Sequence, residues 1–309
     1  MAWEYHMKLL VVINTSAGLG DGAIYDFMRM TLKDGDEACV RYTDGTTEPS
    51  ELVADAVDFD AVVISGGDGT AATIAFTLAN TGVPILPFPA GTANLLANNL
   101  ISPYEPRALS AMVQNGQTLD FDLGEISAQG KTYGFSIMAG AGYDAAIMHD
   151  AVPSKKRLGA AAYFQAAFAN IKPQLSDITL IVDGRTIKTQ GLGVILVNFS
   201  RIQFEIPITH EASARDGMFD IVILKAKNAF GLIPALFAAT LDRDGGMPSR
   251  TDSLEILHGH TVEVIADPPL PIQYDGEPIN ATTPFKARIL QGAARFLISD
   301  EAMKLFGDD

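Results

Sequence analysis

Between Phe59 and Thr70 the chain reads FDAVVISGGDGT, an apolar run rich in β-branched residues that stops at glycines. Ala61 to Ile64 has the texture of a strand buried in a parallel sheet. From Thr70 the sequence turns into a helix former that runs to about Asn80. The same alternation frames this stretch. Lys8 to Ile13 predicts a first strand, a helix opens near Asp21, and Ala38 to Thr43 predicts a second strand. Thr47 is the expected N-cap of the next helix, with Pro49 in its first turn. Pro84 to Phe88 predicts a fourth strand, and PAGTANLLANNL is a second glycine turn feeding a helix. Strands alternating with helices predict an α/β domain with an open parallel sheet, whose ligands gather at the carboxyl ends of the strands.

The texture changes near Thr118. Segments 118–127, 131–138, 177–183, 186–188, 191–199, 218–225, 255–265 and 285–290 read as strands punctuated by Gly, Asp-Gly or Pro, with Asp183-Gly184 as a hairpin signal. Leu158 to Ile171 and Asn228 to Leu241 read as helices between them. The expectation is a mostly antiparallel, sandwich-like β domain over 123–298, following a nucleotide-binding domain over 1–122. The closing helix, Ser299 to Phe306, is expected to pack back on the first domain.

Composition narrows the field. Of the 309 residues 48% are apolar and 19% charged, enough for a substantial core and unlike a disordered chain. A net charge of −15 argues against a nucleic-acid partner and against non-specific docking on an anionic membrane. Cys39 is the sole cysteine, so no internal disulfide forms and a reducing compartment is expected. MAWEYHMKLLVV lacks signal-peptide character, and no uncharged apolar run approaches the ~20 residues of a membrane span. A cytoplasmic protein is expected. The oligomeric state stays open, a homodimer included.

The candidate chemistry begins at the glycine turn. A strand, a glycine turn and a helix N-terminus together direct backbone N–H groups at an anion. Gly66, Gly67 and Gly69 permit positive φ and close approach of a ligand. Asp68 is the odd member, because its carboxylate would repel phosphate; a divalent cation between them resolves this, so the expected ligand is a Mg²⁺–nucleotide. Near the C-terminus, Asp275 and Glu277 stand two residues apart. In an extended stretch they would point the same way, and mutual repulsion would raise one pKa, as suits a general base. Lys155-Lys156-Arg157 precedes a segment carrying Tyr163, Phe164, Phe168 and Ile171, which reads either as a membrane-facing patch or as a solvated run capping a core helix.

Rival signals are weaker. Gly18-Leu-Gly20-Asp-Gly-Ala23 formally fits a dinucleotide fingerprint, but Asn14 to Ala17 separate it from the strand. His258-Gly-His260 lacks further metal ligands, and no P-loop lysine motif or nucleophile elbow is present.

Seven motifs then fall in one order: Asn14-Thr-Ser-Ala-Gly18, Gly66-Gly-Asp-Gly-Thr70, Gly91-Thr-Ala-Asn94, Asp122-Leu-Gly124, Gly140-Ala-Gly-Tyr-Asp144, Asp216-Gly-Met-Phe-Asp220 and Asp275-Gly-Glu277. Together they resemble the diacylglycerol kinase catalytic family, which includes bacterial lipid kinases and sphingosine kinases. The resemblance implies ATP held by Asn14, Thr15, Ser16, Ala17, Gly18, Thr43, Gly66, Gly67, Asp68, Gly69, Thr70, Ala71, Ala72, Thr92 and Asn94. Asp68 and Asp122 are the candidates for holding catalytic Mg²⁺, directly or through water. It implies Glu277 as proton acceptor with Asp275 as its partner, and a second Mg²⁺ at Asp216 with carbonyls near Ser213 and Met218. The partner it implies is a lipid met at a membrane surface, without spanning. The chain departs from the family where Ala72-Thr73 replaces a frequent Asn-Glu, which touches the acceptor pocket. Two alternatives remain: an NAD kinase-like enzyme with a soluble acceptor, and a non-catalytic lipid-binding relative.

Overall fold

The computed structural model describes residues 6–17, 22–142, 174–199, 201–202, 206–207, 213–225 and 253–307. The chain divides into two compact units, Met1–Leu123 with Gln291–Asp309, and Gly124–Leu290. The helices expected at 158–171 and 228–241, the basic cluster 155–157, and Gly18, Tyr143 and Asp144 lie outside the described residues.

The first unit alternates β1 (Lys8–Asn14), α1 (Ala23–Thr31), β2 (Glu37–Thr43), α2 (Pro49–Leu52), a 3-10 turn (Ala56–Asp58), β3 (Ala61–Gly66), α3 (Asp68–Thr77), β4 (Ile85–Pro89), α4 (Leu95–Asn99) and α5 (Pro106–Asn115). Its strands run in the order β2-β1-β3-β4, all parallel, and Phe296 of the chain's last strand adds beside Ile85. β1 is apolar on both faces because both are covered. Leu9, Val11 and Ile13 join Ile24 and Phe27 of α1 and Leu109, Met112 and Val113 of α5 in one core. Leu10 and Val12 are equally buried on the other face. The closing helix α6 (Asp300–Phe306) is capped by Ser299, whose Oγ accepts from the Ala302 amide at 3.1 Å. Phe306 meets Phe121 edge-on, ring centroids 5.5 Å apart.

Two local expectations need correction. Glu48, not Thr47, is the N-cap of α2, and no side chain caps it; Pro49, with its fixed φ, starts the helix without one. α3 begins at Asp68, with Gly67 as N-cap, rather than at Thr70.

The second unit is built from β5 (Thr118–Ala128), β6 (Lys131–Phe135), β7 (Met138–Gly142), β8 (Ser176–Val182), β9 (Arg185–Gly191), β10 (Gly193–Val197), β11 (Arg201–Ile202), β12 (Ile206–Pro207), β13 (Phe219–Leu224), β14 (Leu254–Gly259), β15 (Thr261–Asp267), β16 (Pro271–Tyr274), β17 (Glu277–Thr282) and β18 (Phe285–Leu297). One sheet orders β18-β15-β8-β9, with β5 pairing β18 and β6; the other orders β14-β13-β10-β7-β16-β17. The pairs β15–β18, β8–β15, β8–β9 and β5–β6, and all those of the second sheet, are antiparallel. Alternate residues of both sheets, among them Leu180, Val264, Leu196, Ile221 and Ile272, fill a common core in which Phe135 stacks on Phe219 at 5.6 Å.

Two pairs of strands that run together in the sequence pattern are separate in the fold. Segment 131–138 splits between β6 and β7, and 255–265 splits between β14 and β15. At each break a distant carboxylate draws consecutive amides out of line. Asp275 takes the amides of Ser136, Ile137 and Met138, and Asp183 takes those of His260 and Thr261. The β16–β17 hairpin escaped the sequence reading because Pro271 and Pro278 disguise it; β17 is the outer strand of its sheet, where proline is tolerated.

Candidate active site

In the first unit the chain leaves β1 toward β2 on one side and toward β3 on the other, so the sheet has a switch point between β1 and β3. Such a point leaves a crevice outside the carboxyl ends of the two strands. The loops after β1, β2, β3 and β4 all end at that edge, and side chains lace them together. The Asn14 side-chain amide donates to Thr70 Oγ1 at 2.8 Å, and Asn14 Oδ1 accepts the Ser16 amide at 2.9 Å. The Thr15 amide donates to the Thr43 carbonyl at 2.8 Å, and the Thr43 hydroxyl accepts the Gly45 amide at 3.0 Å. Ser16 Oγ donates to the Asp44 carbonyl at 3.0 Å.

The loops after β3 and β4 touch backbone to backbone. A Cβ on Gly91 would stand 3.0 Å from Gly67 Cα and 3.0 Å from Asn94 Oδ1, so only glycine fits without a shift. Asn94 Oδ1 accepts the Gly91 amide at 2.7 Å, with Asn94 held at φ 50°. Gly67 sits at φ −80°, and neither Gly66 nor Gly69 adopts positive φ. These glycines serve close approach, not the left-handed backbone the sequence also allowed.

Asp68 occupies the first position of α3. Its Oδ1 accepts the Leu96 amide at 3.2 Å. Burial pushes its carboxyl above the ordinary value, and the amides of Leu96, Leu95 and Asn94 pull the other way. The carboxylate therefore ties the β3 and β4 loops together, a second physical reason for an acid among the glycines. Ala71 and Ala72 are buried in α3, so their side chains pack inward and only their backbone is left for a ligand. Thr92 is exposed on the β4 loop.

Asp122 also departs from expectation. It is fully buried, and its Oδ1 accepts the Gly292 amide at 2.7 Å, so it braces β5 rather than facing a bound metal. Asp216, Ser213 and Met218 do share one turn, but they bind one another: Asp216 Oδ1 accepts the Met218 amide at 2.8 Å, and the Asp216 amide donates to the Ser213 carbonyl at 3.4 Å. Burial raises the Asp216 carboxyl, and the neighbouring charge of Asp220 raises it further. Among the described residues no group of three or more His, Cys, Asp or Glu could hold a metal by itself.

In the second unit Asp275 and Glu277 are not an extended pair. Asp275 and Gly276, at φ 42° and 84°, form the two-residue turn between β16 and β17, and Tyr274 pairs with Glu277 across it. Asp275 Oδ1 accepts from Ile137 and Met138 at 2.8 and 2.9 Å, and Oδ2 from the Ser136 amide and hydroxyl at 2.7 and 3.0 Å. Both oxygens are thus fully used. Burial, not repulsion from Glu277, is what raises its carboxyl, against the pull of those donors. Glu277 is exposed at the start of β17.

The loops Asn14–Ala17, Thr43–Thr46, Gly66–Thr70 and Gly91–Asn94 contain no lysine or arginine. They offer hydroxyls, side-chain amides and the first turn of a ten-residue helix, whose leading amides have no partner within the helix. Such a set fits a nucleotide that arrives with its own divalent cation. The Asn14–Thr70 tie and the clamp around Asp275 join residues far apart in the chain; the Asn-Thr-Ser run after β1 is the one local signal, and it points to the first.

Fold and loops define a two-unit protein in which an α/β unit with a crevice at its switch point is joined to a β-sandwich. Residues 8–126 match the diacylglycerol kinase catalytic domain, and residues 137–298 match the YegS C-terminal NAD kinase beta sandwich-like domain. The chain belongs to the diacylglycerol kinase catalytic family. A probable lipid kinase YegS-like of Stenotrophomonas maltophilia is 26% identical over 84% of this chain and 85% of its own length. The Synechocystis sp. protein sll0036, described as uncharacterized, is 28% identical over 74% of this chain, which spans only about half (52%) of that protein. A putative diacylglycerol kinase structure from Bacillus anthracis superposes with a TM-score of 0.74 at 17% identity, over 96% of this chain and 99% of the other. An NAD kinase from Archaeoglobus fulgidus in complex with ATP gives 0.55 at 16%, covering 98% of each. The two structural likenesses speak for the fold.

Proposed function

We propose that this protein is an ATP- and Mg²⁺-dependent lipid kinase that transfers the γ-phosphate to a lipid hydroxyl. The observation that carries the reading is the laced set of loops at the switch point: glycine-lined, rich in donors, free of basic side chains, and holding one half-buried aspartate with acceptor capacity left. Mg²⁺, when bound, would supply charge neutralisation to the triphosphate. The loops position the phosphates through Asn14, Thr15, Ser16 and the start of α3. Asp68 is the acidic group offered to the cation. In the transfer, a bond forms from the acceptor oxygen to the γ-phosphorus, the bond to the β-phosphate oxygen breaks, and ADP leaves. Glu277 accepts the proton of the acceptor hydroxyl. Asp275 sets Glu277 in place by pinning the hairpin, and takes no proton itself.

A lipid acceptor is supported by the relatives named as lipid kinases and by the match of residues 8–126 to the diacylglycerol kinase catalytic domain. No described helix is long and apolar enough to cross a membrane. The reading is therefore of a protein that meets its lipid at the surface, with Lys155-Lys156-Arg157 as the segment of suitable charge. The test is transfer of radiolabelled γ-phosphate from ATP in detergent micelles containing Mg²⁺. Diacylglycerol, a sphingoid base, ceramide and phosphatidylglycerol are offered in turn, with NAD as the soluble alternative. Label in a lipid is expected; label in NAD and in no lipid would overturn the reading.

A further inference from the structure

Two tyrosines, Tyr42 and Tyr25, stand near the same edge. Tyr42 lies in β2 beside Ile13 of β1 and directly precedes Thr43, whose carbonyl and hydroxyl hold the Thr15 and Gly45 amides. Tyr25 stands in the first turn of α1. Their hydroxyls share a hydrogen bond of 3.1 Å, while the residues remain 48% (Tyr25) and 55% (Tyr42) exposed. The polar tips are thus engaged with each other, while each residue keeps about half of its surface in water. Hydrogen bonding to Tyr25 pushes the Tyr42 hydroxyl higher still, so the ring carries no charge that would repel a phosphate.

The four carboxyl-edge loops, by contrast, contain no aromatic residue. They supply hydrogen bonds suited to phosphate and ribose and nothing for the flat face of a base. We propose that Tyr42, braced by Tyr25, is the stacking platform for the nucleobase of the nucleotide these loops hold, an inference that rests on the nucleotide reading above. Every base has a π face, so the platform takes adenine and guanine nucleotides alike and leaves phosphate affinity untouched.

Calorimetric titration of the full chain with ADP and, separately, with inorganic tripolyphosphate separates the possibilities. Tyr42→Ala is expected to weaken ADP about tenfold, the scale of one base–aromatic stack, and to leave tripolyphosphate unchanged. Tyr42→Phe, which keeps the ring and loses the hydroxyl, should retain most of the ADP affinity; circular dichroism of both variants reports on folding. ADP affinity equal to wild type in Tyr42→Ala overturns the platform alone. So does a parallel loss of ADP and tripolyphosphate, which would mean that the loops themselves had shifted. A wild-type protein that binds no ADP overturns the nucleotide reading and the platform with it.

Discussion

Asp68 and Asp275 look alike in the sequence, each an acid followed by glycine, and both are buried enough for the carboxyl to be raised. Their surroundings then part. Asp275 receives four donors from three consecutive residues, which saturates both oxygens. Asp68 receives helix-start amides, the Leu96 amide at a long 3.2 Å. A carboxylate whose lone pairs are all taken holds a fold together; one whose lone pairs are partly taken can still hold an ion. Burial and a raised pKa do not tell the two apart, but donor geometry does: four contacts between 2.7 and 3.0 Å at Asp275 against one at 3.2 Å at Asp68.

The largest expected effect comes from breaking the saturated side. Asp275→Ala strands the amides of Ser136, Ile137 and Met138 and the Ser136 hydroxyl, and should cost about 4 kcal/mol of stability at roughly 1 kcal/mol per donor. Denaturant unfolding measures it; a loss confined to activity would make Asp275 a chemical group after all. Glu277→Gln tests the other end of the same hairpin. Being exposed, it should unfold like the wild type while phosphate transfer falls on the order of 10²-fold, the lower range for loss of a general base. Unchanged turnover would remove Glu277 from the reaction.

A smaller effect sharpens the loop side. Gly91→Ala forces the β3 and β4 loops apart by a few tenths of an ångström and should lower stability by about 1 kcal/mol. It should weaken nucleotide binding as well, which titration of the variant with ADP checks. The least is a change of slope. With its native pKa raised, Asp68 contributes stability that is fully present below the unfolded carboxyl pKa. That contribution is lost as pH rises through the raised value. Asp68→Asn lacks the group, so its unfolding free energy should fall less than the wild type's between about pH 4 and neutrality. Urea titrations at several pH values would show it, and identical slopes would mean that the burial is not felt.

The periodic parts of the chain were legible. β1, β3 and β4 announce themselves as apolar runs and Asp183-Gly184 as a hairpin, because each signal is local. What stayed hidden depends on partners far along the chain. Nothing near Ser136 predicts that its strand will break, since the cause is Asp275, 139 residues later. Asp122 sits in a motif and reads as a ligand, yet the Gly292 amide, 170 residues away, takes it into the interior. Ala71 and Ala72 follow the glycine motif directly, but helical geometry turns them to the core. In Gly66–Thr70, sequence and structure agree on the loop and differ on its cause: close approach to Gly91 and a tie to α4, rather than unusual φ.

The most direct measurement is nucleotide binding with and without the metal, on the wild type and Asp68→Asn. Calorimetry with ADP should show Mg²⁺ raising wild-type affinity about tenfold or more, and the variant losing most of that gain. ADP held equally well in excess chelator, or the same magnesium effect in both proteins, would contradict a cation at Asp68.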